Sequence, residues 1–342
     1  MLFFYFIILT LFVFILNSFF IKQKLLLSET GDVHQKFASK SKVPLTGGIV
    51  IFSSYFYLIN DHIYSFILFS LLILILGILS DLKFIKSANI RFIAQIILVL
   101  SFIIFNDVQL YDLRVNFLNR LLQNDIFNYL FVLFCILIVL NGSNFIDGMN
   151  TLVIGYYLLV GLTIYFLNLN NIIQINSISI IFILFCLALV FILNLFNRLY
   201  LGDSGSYLLG FSFAFFLIDI YNSNQHISPF FIILLLWYPC YENLFSILRK
   251  KSFDRSPMGP DNNHFHQLIF FFIKKKYKSK LLAANILTAQ ILNFYNLVIF
   301  YIGASFVSKT DIQVILILFS VILYSFFYFK LYVYKNNYVR II

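Results

Sequence analysis

Five side chains carry most of the chemistry this chain can offer: Asp81, Asp147, Asp203, His264 and His266, each set beside glycine, serine or asparagine and between long apolar runs. An ionised group in such surroundings needs a reason, because it gives up hydration. Carboxylates and cations gathered at one membrane face suit a magnesium-dependent reaction of phosphates. Magnesium takes one or two carboxylates and fills its remaining positions with phosphate oxygens and water. Histidines, lysines and helix N-termini can offset the rest of the phosphate charge. Phosphoryl transfer needs chiefly positioning and charge neutralisation. A membrane catalyst makes sense when one substrate is itself a lipid.

Each segment also has a purely structural reading. Asp81, in Gly77-Ile-Leu-Ser-Asp-Leu-Lys, can simply end a span beside Lys83 and Lys86. Asp147, in Asn141-Gly-Ser-Asn-Phe-Ile-Asp-Gly-Met-Asn150, and Asp203, in Leu201-Gly-Asp-Ser-Gly-Ser, can each cap the helix that follows. Gly202 and Gly205 would equally let backbone approach a ligand. His264-Phe-His266 has the form of a metal pair, but no cysteine or third histidine lies near it in sequence. Two phosphate-facing imidazoles therefore fit better than zinc. Val43-Pro-Leu-Thr-Gly-Gly48 is either a tight turn into a helix or a close backbone contact with a substrate.

The elements that must position these residues are membrane helices. The 342 residues are 61% hydrophobic and 20% aromatic, with only 11% charged, and the mean hydropathy of +0.93 excludes a soluble domain. The reading is an all-α, polytopic integral membrane bundle forming a single domain over residues 1–342. About eleven spans are expected near 2–21, 47–60, 63–79, 91–106, 126–141, 151–168, 176–195, 205–222, 229–247, 281–302 and 312–329. The first run lacks a basic start and a small-residue cleavage site and reads as a span, not a signal peptide. The connector from Asn106 to Asp125 allows a short helix. Cys135, Cys186 and Cys240 lie in or beside apolar runs without CxxC spacing and read as small core residues.

The formal charge of +10 would suggest nucleic acid in a soluble protein. Here 21 of the 24 lysines and arginines, Lys40 among them, fall in loops after odd-numbered spans or in the tail, leaving Arg114, Arg120 and Lys309 on the other face. The basic face is expected to be cytoplasmic, with the N-terminus outside and the C-terminus inside. No nucleic-acid partner is implied. Asp81, Asp147, Asp203 and the histidine pair also follow odd-numbered spans. Parity alone therefore sends them to one face, with site loops near 22–46, 80–90, 142–150, 196–204 and 248–280.

At these residues the chain resembles the polyprenyl-phosphate N-acetylhexosamine-1-phosphate transferases. Five ordered motifs carry the resemblance. They are Pro44-Leu-Thr-Gly-Gly; Leu76-Gly-Ile-Leu-Ser-Asp with Asn89-Ile-Arg and Gln95; Asn141 to Asp147-Gly; Leu201-Gly-Asp-Ser-Gly-Ser; and Ser256-Pro-Met with Asp261 and His264-Phe-His. The resemblance implies transfer of a sugar-1-phosphate from a UDP-N-acetyl sugar to undecaprenyl phosphate at the cytoplasmic face of a bacterial inner membrane, releasing UMP. It implies Mg2+, with Mn2+ as a substitute, on Asp203 and Asp147, and Asp81 as a third catalytic carboxylate. Asn141, Asn144, His264, His266, Lys40 and Asp261 then meet substrate, and a homodimer is compatible with it.

Three departures stand out. Ser80-Asp81 replaces the family's double Asp, Asn150 stands where a second acid often follows Asp147, and Gln267 stands where a third histidine is common. An inactive scaffold is one alternative. A transporter or flippase is another, expected to carry charges near mid-membrane on broken helices.

Overall fold

The structure, a computed structural model, describes residues 2–28, 42–58, 63–252 and 262–340, with backbone alone for 2, 3, 63 and 338–340. Its helices are α1 (Leu2–Gln23), α2 (Gly47–Ser54, prolonged by a 3-10 turn Tyr55–Tyr57), α3 (Ile63–Asp81), α4 (Ala88–Phe105), α5 (Asn116–Leu122), α6 (Asp125–Ile146) and α7 (Leu152–Leu169). There follow α8 (Ser177–Leu195), α9 (Gly202–Ser223), α10 (Pro229–Leu235), α11 (Trp237–Ser252), α12 (Phe265–Lys276), α13 (Leu281–Ser305) and α14 (Thr310–Arg340). Among the described residues the sole β feature is an isolated bridge between Leu27 and Pro44.

Local chemistry starts several of these helices. Asn124 accepts the N–H of Phe127 at 3.0 Å to cap α6, Asn176 accepts from Ile178 and Ser179 to cap α8, and Ser228 with Pro229 opens α10.

Among the described residues nine helices are long and apolar enough to cross a membrane, and α10 with α11 makes a tenth when taken as one broken span. This is a multi-pass membrane protein. The expected count of about eleven spans is refined at two places. The run 229–247 is not one helix, because α10 and α11 meet at 72°. Pro239 has no N–H and would press on the Leu235 carbonyl in an unbroken helix, so it sits in the first turn of α11 after the bend.

The run 47–60 forms a helical piece, Gly47–Tyr57, too short to span. It nevertheless joins the two ends of the bundle. A Cβ on Gly48 would lie 2.8 Å from the N of Gly205 at the start of α9, while the Tyr57 carbonyl accepts from Ser179 Oγ at the start of α8. The alternation of loops between two faces therefore survives the miscount.

α9 is the axis of the fold. It is the least apolar of the nine spanning helices and the most buried, and it packs on α3, α6 and α2. Small residues allow backbone to meet backbone: a Cβ on Gly77 of α3 would strike Ser204, and one on Gly210 would lie 2.6 Å from the Cα of Leu140 on α6. At the opposite end Arg114, near the expected short helix α5, donates to the carbonyls of His226 at 3.1 Å, Ile227 at 2.9 Å and Ser308 at 2.9 Å. That end is tied together by backbone acceptors. Asp107 and Asp112 also lie there, accepting from Tyr129 and Asn119, whereas the site end holds Asp81, Asp147 and Asp203.

Candidate active site

The site is built on the first turn of α9. That helix has no cap of its own, since its N-cap residue is Leu201, and the missing acceptor comes from the end of α3. Asp81 Oδ1 accepts the N–H of Asp203 at 2.8 Å and Oδ2 accepts that of Ser204 at 3.1 Å. A carboxylate on exposed helix N–H groups also meets the positive end of the helix dipole. Gly202 makes the approach possible. It has φ +68°, and a Cβ there would lie 2.6 Å from Asp81 Oδ2. Capping of α9, considered for Asp203, thus falls to Asp81.

Asp203 is held from three sides. Its Oδ2 accepts from Ser80 Oγ at 2.5 Å and from Arg91 Nη1 at 2.7 Å, and Arg91 also donates to Ser80 Oγ at 2.7 Å. Its Oδ1 accepts from Asn144 Nδ2 at 2.7 Å, and Asn144 reaches Ser206 Oγ at 3.2 Å. Three helices, α3, α4 and α6, therefore aim side chains at one carboxylate on a fourth.

Asp147 closes α6 as its C-cap residue. It does not cap the next helix, whose N-cap is Thr151. Part of its surface stays open, yet close packing around the carboxyl, and then the like charges of Asp203 and Asp81, hold its pKa well above the usual carboxylate range. Such repulsion is what a cation relieves. The residues present fit magnesium, which needs only one or two protein carboxylates; among the described residues no three His, Cys, Asp or Glu groups form a closed metal cage.

The helix α6 runs on to Ile146, so the expected loop at 142–150 begins later. Asn141 sits in the body of α6 with its amide donating to the Leu137 carbonyl one turn back at 3.0 Å. Asn141, the last residue of the expected span, is thus within the helix, and Asn144, expected in the loop, is helical too and reaches Asp203.

The histidines arrive from the start of α12. His266 is fully buried, and a Cβ on Gly148 would lie 2.5 Å from its Nε2, so the glycine after Asp147 leaves room for the imidazole. His264 and His266 stack with centroids 5.7 Å apart, and His264 lies 5.5 Å from the ring of Phe145. Its Nδ1 meets Glu242 Oε1 of α11 at 3.0 Å, while Glu242 Oε2 accepts from Tyr324 at 2.7 Å. Lys250, also on α11 and only 6% exposed, places its Nζ 5.5 Å from the Phe145 ring centre. Lys40, Asp261 and Ser256-Pro-Met lie outside the described residues.

The three departures prove to be built into the structure. Ser80 belongs to the Asp203 cluster. Asn150 is buried: its N–H donates to Asn285 Oδ1 at 2.8 Å and its Nδ2 to the Asn194 carbonyl at 3.1 Å and to Asn197 Oδ1 at 2.5 Å. Gln267 accepts the N–H of His264 at 3.2 Å, holding the first turn of α12. The Pro44-Leu-Thr-Gly-Gly segment likewise packs inward, for Gly47 donates to the Tyr200 carbonyl at 3.0 Å and Tyr200 to that of Pro44 at 2.9 Å. Its close backbone contact is with the loop before Asp203.

Sequence reasoning did not single out Glu242 or Lys250 as parts of the site, and it met Arg91 and Ser80 only as members of the motifs Asn89-Ile-Arg and Ser80-Asp81. Arg91 opens α4 and Glu242 is a lone carboxylate within an apolar run, which was the available signal.

A family model described as Glycosyl transferase family 4 matches residues 63–221. The chain is 25% identical over 238 residues to the undecaprenyl-phosphate alpha-N-acetylglucosaminyl 1-phosphate transferase of Salmonella typhi, and 26% over 245 residues to that of Yersinia pestis. Both alignments cover 66% of this chain and 65% of the relative. A probable undecaprenyl-phosphate N-acetylglucosaminyl 1-phosphate transferase of Bacillus subtilis is 27% identical over 203 residues, covering 59% of this chain and 56% of that protein. The chain thus spans about 65% of the length of the first two relatives.

Proposed function

We propose that this chain, a glycosyl transferase family 4 protein by its residues 63–221, transfers an N-acetylhexosamine-1-phosphate from a UDP-sugar to undecaprenyl phosphate, releasing UMP and starting a lipid-linked surface glycan. One observation carries the reading: Asp147 and Asp203 converge with Arg91 and the His264–His266 pair at one end of a bundle of apolar helices. There a water-soluble nucleotide sugar and a lipid phosphate can meet. We place that end at the cytoplasmic face of a bacterial inner membrane, where nucleotide sugars are made.

Asp203 and Asp147 would hold Mg2+, or Mn2+ in its place. When bound, the ion offsets the diphosphate charge of the nucleotide sugar. Asn144 orients Asp203 through the 2.7 Å bond to Oδ1, and Asp81 fixes the backbone that carries it. His264 and His266 face the phosphates. Glu242 sets the ring of His264, receiving at 3.0 Å whichever proton Nδ1 carries. An oxygen of the lipid phosphate attacks the phosphorus bonded to the sugar; a new P–O bond forms, the bond to the bridging oxygen breaks, and UMP leaves with that oxygen. The lipid phosphate is largely ionised near neutral pH, so Ser80 in place of a carboxylate base is tolerable.

Purified protein given undecaprenyl phosphate, Mg2+ and UDP-GlcNAc should release UMP, and Asp203→Asn should abolish the release. The reading is wrong if no UDP-N-acetyl sugar in a panel yields UMP, or if the Asn variant remains fully active. The broken span with fully buried Glu242 is a feature that transport also predicts. Movement of a lipid-linked sugar in proteoliposomes without UMP release would favour that alternative.

A further inference from the structure

We propose that Ser80 and Arg91 together set the cation affinity of Asp203, and that a carboxylate at position 80 would draw Arg91 away and convert a weak divalent-cation site into a tight one. The inference rests on the reading of Asp203 as an ion-holding carboxylate.

Ser80 Oγ, Arg91 Nη1 and Asp203 Oδ2 form a closed triangle with sides of 2.5, 2.7 and 2.7 Å. One oxygen of Asp203 is therefore shared with a full positive charge, and the other accepts from Asn144 at 2.7 Å. A divalent ion approaching Oδ2 competes with the guanidinium for the same lone pairs and is repelled by it.

The guanidinium is itself incompletely matched. It bonds through one terminal nitrogen, while its buried Nε has no hydrogen-bond partner among the described residues. Arginine is satisfied best by two parallel bonds to a carboxylate. A serine hydroxyl provides one acceptor oxygen where a carboxylate would provide two. Asp81, next along the chain, is not free for this role, because its two oxygens accept the N–H groups of Asp203 and Ser204. The arginine's pairing thus falls on Asp203. A carboxylate at position 80 would take the two terminal nitrogens, Nη1 and Nη2, as a pair, return Oδ2 to an incoming cation, and add a negative charge beside it.

Mn2+ binding to the purified protein in detergent, without substrate and at fixed pH, can be titrated by electron paramagnetic resonance for the wild type, Ser80→Asp and Arg91→Gln. Each variant makes the cluster one unit more negative, and each is expected to bind Mn2+ about tenfold more tightly. Adding Asp203→Asn to either should remove the gain. Melting curves identify folded variants. If Ser80→Asp does not fold beside Asp81, Arg91→Gln decides alone. Mn2+ bound with wild-type affinity by the folded variants, or tighter binding that persists with Asp203→Asn, overturns this proposal and leaves the catalytic reading standing. Absence of Mn2+ binding in every protein overturns both this proposal and the assignment of Asp203 to the metal.

Discussion

Asp81 and Asp203 exchange the roles their neighbourhoods suggest. The carboxylate at the end of α3 caps α9, and the one inside the first turn of α9 is presented to the site. Two substitutions separate these roles. Asp81→Ala leaves two helix N–H groups without acceptors and is expected to lower stability by about 1–3 kcal/mol, read as a fall in melting temperature, together with loss of UMP release. Asp203→Asn should remove UMP release while changing the melting temperature less, because its amide oxygen can still accept from Ser80 and Arg91 and only the bond from Asn144 is lost. Asn150 is a third case. Its donated bonds to the Asn194 carbonyl and Asn197 Oδ1 need an N–H group that aspartate lacks. Asn150→Asp should therefore destabilise by about 2–4 kcal/mol, with a lowered melting temperature as the check.

Helix packing makes some glycines matter more than others. A Cβ at Gly77 would meet the backbone of Ser204, one residue from Asp203, whereas at Gly161 it would meet the flexible end of Leu184. Gly77→Ala should cost about 1–3 kcal/mol and reduce UMP release further than that loss explains, since pushing α3 off α9 separates Asp81 from the amides it accepts. Gly161→Ala should leave both measurements near wild type. Equal effects from the two would contradict the view that the α3–α9 contact positions the site.

The whole bundle sorts its polar groups by end. Asp81, Asp147, Asp203, the histidines and Lys335, which donates to the Asn262 carbonyl at 2.8 Å, lie at one end. Arg114 and the 225–227 and 308–310 turns lie at the other. Positive-inside asymmetry then predicts that, in a background without native cysteines, Ser308→Cys reacts with an impermeant thiol reagent on intact cells. Lys83→Cys should react only after permeabilisation. The reverse pattern would mean that the site faces outward.

Much of this was legible in the chain. Long apolar runs dictate membrane helices because unpaired backbone groups are intolerable in lipid, and parity of those runs sends Asp81, Asp147, Asp203 and the histidines to one end without any knowledge of packing. What parity could not assign was partnership. Which carboxylate caps α9, which one Arg91 neutralises, and that Asn150 turns into a buried amide network depend on contacts between residues about 40 to 140 positions apart. Such contacts exist only once α3, α4, α6 and α13 have packed against their neighbours. Hydropathy by itself reports neither the break at Leu236, which Pro239 marks in the sequence, nor the shortness of α2. Composition reports that a segment is apolar, while the bend is decided by a proline against a carbonyl and the seating of α2 by a glycine pair against the start of α9.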